Sequence, residues 1–320
     1  MIDFSKKRMQ SESPLVNWYE FWDTFRHGTA VVKGLHFHYV EGGHGSPVLL
    51  LPCCWPQTWY AWRYIMPKLV ASGHRVVALD PRGVGDTDRP ADGYDLGSLA
   101  ADIHGVVEKI GLLKDGPIAV AGHGIGTWLG YAYAADWRDD VRQLVVMNAC
   151  VPGISSPHKD LDPVESNLQS WHFNFNRLDD LPELLIGGRE KAFLTWLFRA
   201  KAMRPWTITA EAIDEYARHL SSPGAIRAIS NYYRTIFSPA GLILNRARAE
   251  KPLTIPVLAL GAERGYGVHL VEAMRSVASN VVGEVMEGSG HYMLEEAPQK
   301  ISDALLNFFN KKRTAAQLAP

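Results

Sequence analysis

The sequence predicts an α/β architecture: an eight-stranded, mostly parallel sheet with helices on both faces and a helical segment inserted after the sixth strand. Three observations predict it. Strand-like apolar runs alternate with helix-like runs through the first half of the chain, the order that builds layered α/β sheets. Several of those runs are apolar almost without interruption, as strands covered on both faces must be. The strand signal also stops near Gly153 and resumes only after Lys251.

The elements follow in order. Residues 1–28 read as an N-terminal extension whose aromatic cluster, Trp18, Tyr19, Phe21 and Trp22, packs on the body. Strands are predicted over Thr29–Val32, Leu35–Tyr39, Pro47–Leu51, Arg75–Leu79, Ile118–Ala121, Gln143–Met147, Pro256–Leu260 and Val281–Met286. Helices are predicted over Thr58–Ala71, Leu96–Ile110, Ile125–Asp136, Val268–Ala278 and Pro298–Asn310. The core therefore spans 29–152 and 252–312, with a tail at 313–320. Residues 153–251 form a cap with helices over Leu181–Ala202, Ala210–Leu220 and Gly224–Phe237, the last started by Ser222-Pro223-Gly224. An insert at that point covers the carboxyl edge of the sheet, where open α/β sheets bind ligands.

Composition excludes several classes. The 320 residues are 47% hydrophobic and 21% charged, with a net charge of -1. That balance points to neither nucleic acid nor an anionic membrane as partner. Cys53, Cys54 and Cys150 make no disulfide framework and lack zinc-site spacing, and Gly83-Val84-Gly85 is too weak for a dinucleotide site. No cofactor or metal is implied. The opening MIDFSKKRMQSESP has no apolar leader segment, and no run of ~18 apolar residues exists to span a bilayer. A cytoplasmic protein acting on a small apolar organic molecule is the expectation, with homodimerisation left open.

The run Ile118-Ala119-Val120-Ala121-Gly122-His123-Gly124-Ile125-Gly126 passes from strand through a tight turn into helix. It has the form G-x-Nuc-x-G of a nucleophile elbow in the right structural context, but its middle residue, Gly124, carries no side chain. With Thr127-Trp128-Leu129-Gly130 this elbow resembles that of epoxide hydrolases and haloalkane dehalogenases, where the middle residue is Asp. Leu51–Arg63 (LPCCWPQTWYAWR) is similar to their HGxPxxxxxWR region. Asp80–Pro90 (DPRGVGDTDRP), Gly290-His291 with Glu295-Glu296-Ala297-Pro298, Trp171-His172-Phe173 and Tyr232-Tyr233-Arg234 also have counterparts. The resemblance covers nearly the whole chain after residue 29 and implies an α/β-hydrolase fold.

It also implies roles. His291 stands in the place of the catalytic His. Backbone N–H groups of Trp55 and Ile125 are expected to form the oxyanion hole. Tyr233, or its neighbour Tyr232, resembles the cap tyrosine that gives a proton to an opening epoxide oxygen, and His172 resembles a second cap donor. Three departures stand against these. Gly124 removes the carboxylate that an alkyl-enzyme ester requires. Asn148 occupies the place of the charge-relay acid; its amide oxygen can hold an imidazole but cannot neutralise an imidazolium. Cys53-Cys54 replaces His-Gly.

Glu263, after the seventh strand, can replace the lost acid or can be a solvated turn residue beside Arg264. Cys53 or Cys54 at the pocket rim, with Cys150 nearby, offers a thiol, but buried inert cysteine is the commoner fate. His123 and Trp171 are further pocket candidates. The residues thus predict proton chemistry without a covalent nucleophile: epoxide opening, cyclisation, elimination or isomerisation of an apolar small molecule, as in natural-product biosynthesis. Hydrolysis by direct water attack and ligand binding without catalysis are the alternatives.

Overall fold

The computed structural model describes residues 16–154 and 163–310. The tail at 313–320 and residues 1–15 of the extension lie outside the described residues. Eight strands form one sheet: β1 (Phe25–Val32), β2 (Leu35–Gly42), β3 (Ser46–Leu51), β4 (His74–Leu79), β5 (Ile118–His123), β6 (Val141–Met147), β7 (Val257–Ala262) and β8 (Val281–Met286). Their order is β1-β2-β4-β3-β5-β6-β7-β8. β1 pairs with β2, and β2 with β4, antiparallel; every other pairing is parallel. This is the α/β-hydrolase fold that the sequence predicts. β3, β5, β6 and β7 are buried over most or all of their length because helices cover both faces.

The strand order places the site. The chain runs from β3 out to β4 and returns to β5 on the other side of β3, so the order reverses there. A crevice opens at such a switch point beyond the carboxyl ends of the strands. Leu51 pairs with Gly122 in the β3–β5 ladder. Two residues further on, Cys53 and Gly124 emerge side by side at the mouth of that crevice. Gly126 is required for close approach, because a β-carbon there would strike the Leu51 carbonyl oxygen.

Several boundaries differ from expectation, each for a local reason. β1 starts at Phe25, so the last residues assigned to the extension belong to the sheet, and Trp18–Thr24 is a helix capped by the Asn17 side chain. The helix expected over Thr58–Ala71 is a 3₁₀ turn, Trp59–Trp62, followed by a separate helix, Met66–Ala71. Pro67 has no N–H to continue the first turn and is suited to starting the second. The helix expected over Leu181–Ala202 is two, Leu181–Ile186 and Glu190–Lys201. Gly187-Gly188 divides them, Gly188 at φ +76°. Helices at Pro163–Phe175 and Pro239–Ala249 were not anticipated. The latter opens on proline at its first turn, behind Ser238 as cap.

The helices between 163 and 249 are tied to the sheet by polar contacts that cross the crevice. Trp55 Nε1 donates to Asn176, Gln57 Nε2 to Tyr216 Oη, and Tyr232 Oη to the Arg82 carbonyl. Among the described residues no helix is long and apolar enough to cross a membrane.

Candidate active site

A cavity of about 520 Å³ lies between the carboxyl ends of the strands and the inserted helices. Cys53, Gly124, Asn148 and His291 line it from the core; His172, Lys201 and Tyr233 line it from the insert. Much of the remaining wall is apolar, including Trp128, Phe173 and Phe237.

At the elbow, Gly124 adopts φ +57°, a left-handed conformation that glycine takes without strain. A β-carbon at this position would collide with Cys53 Sγ. The sulfur therefore fills the volume that a nucleophilic side chain would need. The backbone N–H groups of Ile125 and Trp55 are aimed at this sulfur. These are the groups expected to form the oxyanion hole, and here they are occupied. The thiol also reaches the Trp55 carbonyl at 3.5 Å and His291 Nε2 at 3.5 Å. Burial outweighs the two N–H groups and Lys201 and pushes the Cys53 thiol up to about 11, so it is protonated at neutral pH.

The Asn148–His291 pair is the reverse of a charge relay. Asn148 follows β6 with φ +46°, a conformation that Asn tolerates better than most residues. Its Oδ1 accepts from the backbone N–H of Ala262 at 3.2 Å and of Tyr266 at 3.0 Å. The oxygen is thereby spent, and Nδ2 faces His291 Nδ1 at 2.9 Å. An amide nitrogen only donates, so Nδ1 must be bare and the neutral ring carries its proton on Nε2. Nε2–H points to Cys53 Sγ. Burial, Lys201 and His123 all hold His291 well below the usual histidine range. The expectation that Asn148 would support the imidazole through its amide oxygen is corrected: His291 is a neutral donor at Nε2 and not a base there.

His123 sets the position of the loop. Its Nε2 lies 2.7 Å from the His291 carbonyl oxygen and must donate to it. Its Nδ1 meets no partner among the described residues, and burial lowers the ring to about 4. His123 thus holds His291 from behind and does not line the cavity.

Lys201, which the sequence reading passed over, is the last residue of its helix and is buried, 8% exposed. Its Nζ lies 3.0 Å from His172 Nδ1 and 3.4 Å from Nε2. Its carbonyl accepts from the backbone N–H of His291 at 3.1 Å. Burial lowers its amine to about 7. His172 stacks on the Trp55 indole at 4.7 Å and is held far below the usual range by burial and by Lys201. The expectation of His172 as an acid is therefore corrected; while Lys201 is charged, the imidazole accepts from it. Tyr233 is buried against Trp55, Trp128, His172 and Phe173, and burial raises its phenol. Its hydroxyl meets no hydrogen-bond partner among the described residues.

Other expected site residues lie elsewhere. Tyr232 turns away, because consecutive helix residues face different directions, and is held by the Arg82 carbonyl at 2.6 Å. Cys54 is buried outside the lining, its sulfur at 3.4 Å from the Pro52 carbonyl. Trp171 packs with Phe175, Phe193 and Trp196 instead of facing the cavity. Glu263 is exposed, accepts from the Gly288 N–H at 2.7 Å and does not line the cavity, so it does not act as the acid proposed for it. Cys150 lines the cavity but meets Tyr266, not Cys53.

Residues 47–298 match the family model described as alpha/beta hydrolase fold. The chain is 35% identical over 289 residues to the soluble epoxide hydrolase of Corynebacterium sp. (strain C12), covering 88% of this chain and 96% of that protein. Epoxide hydrolase 4 of Mus musculus is 28% identical, over 88% of this chain and 78% of that protein. Among solved structures, Cfl2 from Burkholderia cenocepacia aligns with a TM-score of 0.84 at 35% identity, over 90% of this chain and 96% of that one. The epoxide hydrolase CorEH aligns with a TM-score of 0.79 at 34% identity, over 89% and 98%. The fold, the switch-point crevice and these similarities agree: the chain belongs to the α/β-hydrolase fold family, as an epoxide-hydrolase-like member.

Proposed function

We propose that the protein acts on an apolar small molecule bearing an oxygen function, and opens, cyclises or isomerises it by donating to that oxygen. The observation that carries this reading is the elbow. Gly124 offers no nucleophile, and a thiol that burial keeps protonated occupies its place. Three donors line the cavity: Tyr233 Oη–H, His291 Nε2–H and the Lys201 amine. Donors aimed at an oxygen lower a barrier only as negative charge develops on it, as it does when a strained ring opens. The attacking group then comes from the substrate itself, held in place by the apolar wall.

An apolar hydroxy-epoxide tests this. Cyclisation leaves the mass unchanged, whereas hydrolysis adds one water. The expected product is the cyclic isomer, and Tyr233→Phe lowers its rate by about 100-fold or more with little change in melting temperature. A diol product, or an unaltered rate in Tyr233→Phe, overturns the reading. Binding without turnover is the second reading, and the filling of the Ile125 and Trp55 donor pair by Cys53 Sγ favours it. An intact substrate recovered after long incubation, with a raised melting temperature, would support that alternative.

A further inference from the structure

We propose that the ligand of this cavity is an organic acid, an apolar body ending in a carboxylate, and that Lys201 is the residue that takes the carboxylate. The inference deepens the reading of the cavity as a small-molecule site with a donor end, and rests on it.

Lys201 is a buried amine that meets no carboxylate among the described residues. The groups packed around its nitrogen are the His172 imidazole and, at 5.8 Å, the Trp55 ring. The titratable neighbours on the other packed elements are Cys53 beyond β3 and His291 in the loop beyond β8, and neither is anionic at neutral pH. Arg264, beyond β7, is itself cationic and donates to the carbonyl of Ala202. Glu296 is held by the backbone: its Oε2 accepts from the N–H groups of Met203, Arg204 and Gly290. Among the described residues that line the cavity there is no Asp or Glu. Elsewhere the protein pairs its buried cations: Arg63 with Glu295 and Arg82 with Asp102, each by two hydrogen bonds.

A buried cation with no anion is costly, and the cost falls when a ligand brings the anion. A carboxylate fits the rest of the donor end as well. It has acceptor sites beyond those one ammonium can fill, and Tyr233 Oη–H and His291 Nε2–H face the same cavity and can donate to them. The apolar body is accommodated by the wall formed by Trp128, Val151, Ile154, Phe173 and Phe237.

The pairing has a pH signature. In the empty cavity burial lowers Lys201 to about 7. A bound carboxylate favours the ammonium and raises it again. Above pH 7 binding must then take up a proton, and affinity falls as pH rises; just below pH 7 it is flat.

The experiment is calorimetric titration of the full chain with a chain-length series of ω-phenylalkanoates and the matching amides. Expected is binding of at least one acid about tenfold or more tighter than its amide near pH 6.5, with proton uptake on binding at pH 8. Lys201→Met, checked for folding by its melting curve, is expected to abolish the preference for the acid over the amide. Acid and amide binding alike, an acid preference that survives in Lys201→Met, or no binding across the series overturns the proposal. So does a borohydride-trapped adduct with ω-phenylalkanals in the absence of acid preference, which would assign the amine to imine formation. These readouts need no turnover, so they stand or fall separately from the Tyr233→Phe rate test.

Discussion

Arg63 and Lys201 are both buried cations, and the molecule treats them in opposite ways. Arg63 sits in a closed network. It donates to both oxygens of Glu295 and to the Tyr60 carbonyl, Tyr216 Oη donates to Glu295 as well, and Gln57 supports that tyrosine. Lys201 has an imidazole for company and an open cavity in front of it. The first arrangement is complete as it stands and holds the short helix Met293–Glu296 against the 3₁₀ turn Trp59–Trp62. The second is complete only with a ligand. Buried charge therefore marks structure in one place and function in the other, and the counter-ion distinguishes them.

The largest expected effect breaks the closed side. Glu295→Ala leaves the Arg63 guanidinium buried and unpaired, and should cost about 3–5 kcal/mol in urea unfolding. A loss below about 1 kcal/mol would mean that water reaches Arg63 and that the two cations are less different than the structure makes them.

The next tests the elbow between them. Gly124→Asp must place its β-carbon against Cys53 Sγ and hold a left-handed φ, and should destabilise by about 2–4 kcal/mol. Adding Cys53→Gly should restore much of that loss and give Lys201 a fixed carboxylate neighbour. A single Gly124→Asp variant as stable as the parent would contradict the packing.

Lys201→Met is expected to stabilise the empty protein by about 1–3 kcal/mol at pH 7, the opposite sign to Glu295→Ala. The pH dependence follows from the lowered amine. Between its folded value of about 7 and its ordinary 10.5, the unfolded chain binds more protons than the folded one. Stability of the parent should therefore rise with pH across that window, and Lys201→Met should abolish this contribution to the rise. Parallel stability–pH curves for the two would remove Lys201 from the account.

The smallest effect separates two neighbours. Tyr232→Phe loses the bond to the Arg82 carbonyl and should cost about 1–2 kcal/mol with little effect on ligand handling. Tyr233→Phe should do the reverse. A swap of these phenotypes would mean that the helix Ala225–Ile236 is rotated.

The eight strands and the elbow were legible because apolar runs and Gly122-x-Gly124-x-Gly126 are local patterns. That position 124 carries no side chain could be read from one residue. What fills its place could not, since Cys53 meets Gly124 only through the β3–β5 register, a long-range pairing. The Asn148 amide was misjudged because its orientation is set by the backbone N–H groups of Ala262 and Tyr266, far along the chain. Lys201 belongs to no motif, yet a signal was present. Leu194, Leu197, Phe198 and Lys201 fall at helical spacing on one buried stripe, so a lysine holds a core position. Glu263 failed for the opposite reason: its place in sequence fitted a role that its exposure denies.

Around Gly124 the geometry makes His291 a neutral ring that donates from Nε2 toward Cys53. The proton on His291 tests it most directly. Imidazole ¹⁵N spectra of the ¹⁵N-histidine-labelled protein, with His291 assigned by its absence in His291→Ala, report which nitrogen is protonated. The account predicts a neutral ring at pH 7 with its proton on Nε2 and a bare Nδ1. A proton on Nδ1 with a bare Nε2, or an imidazolium at that pH, would contradict it.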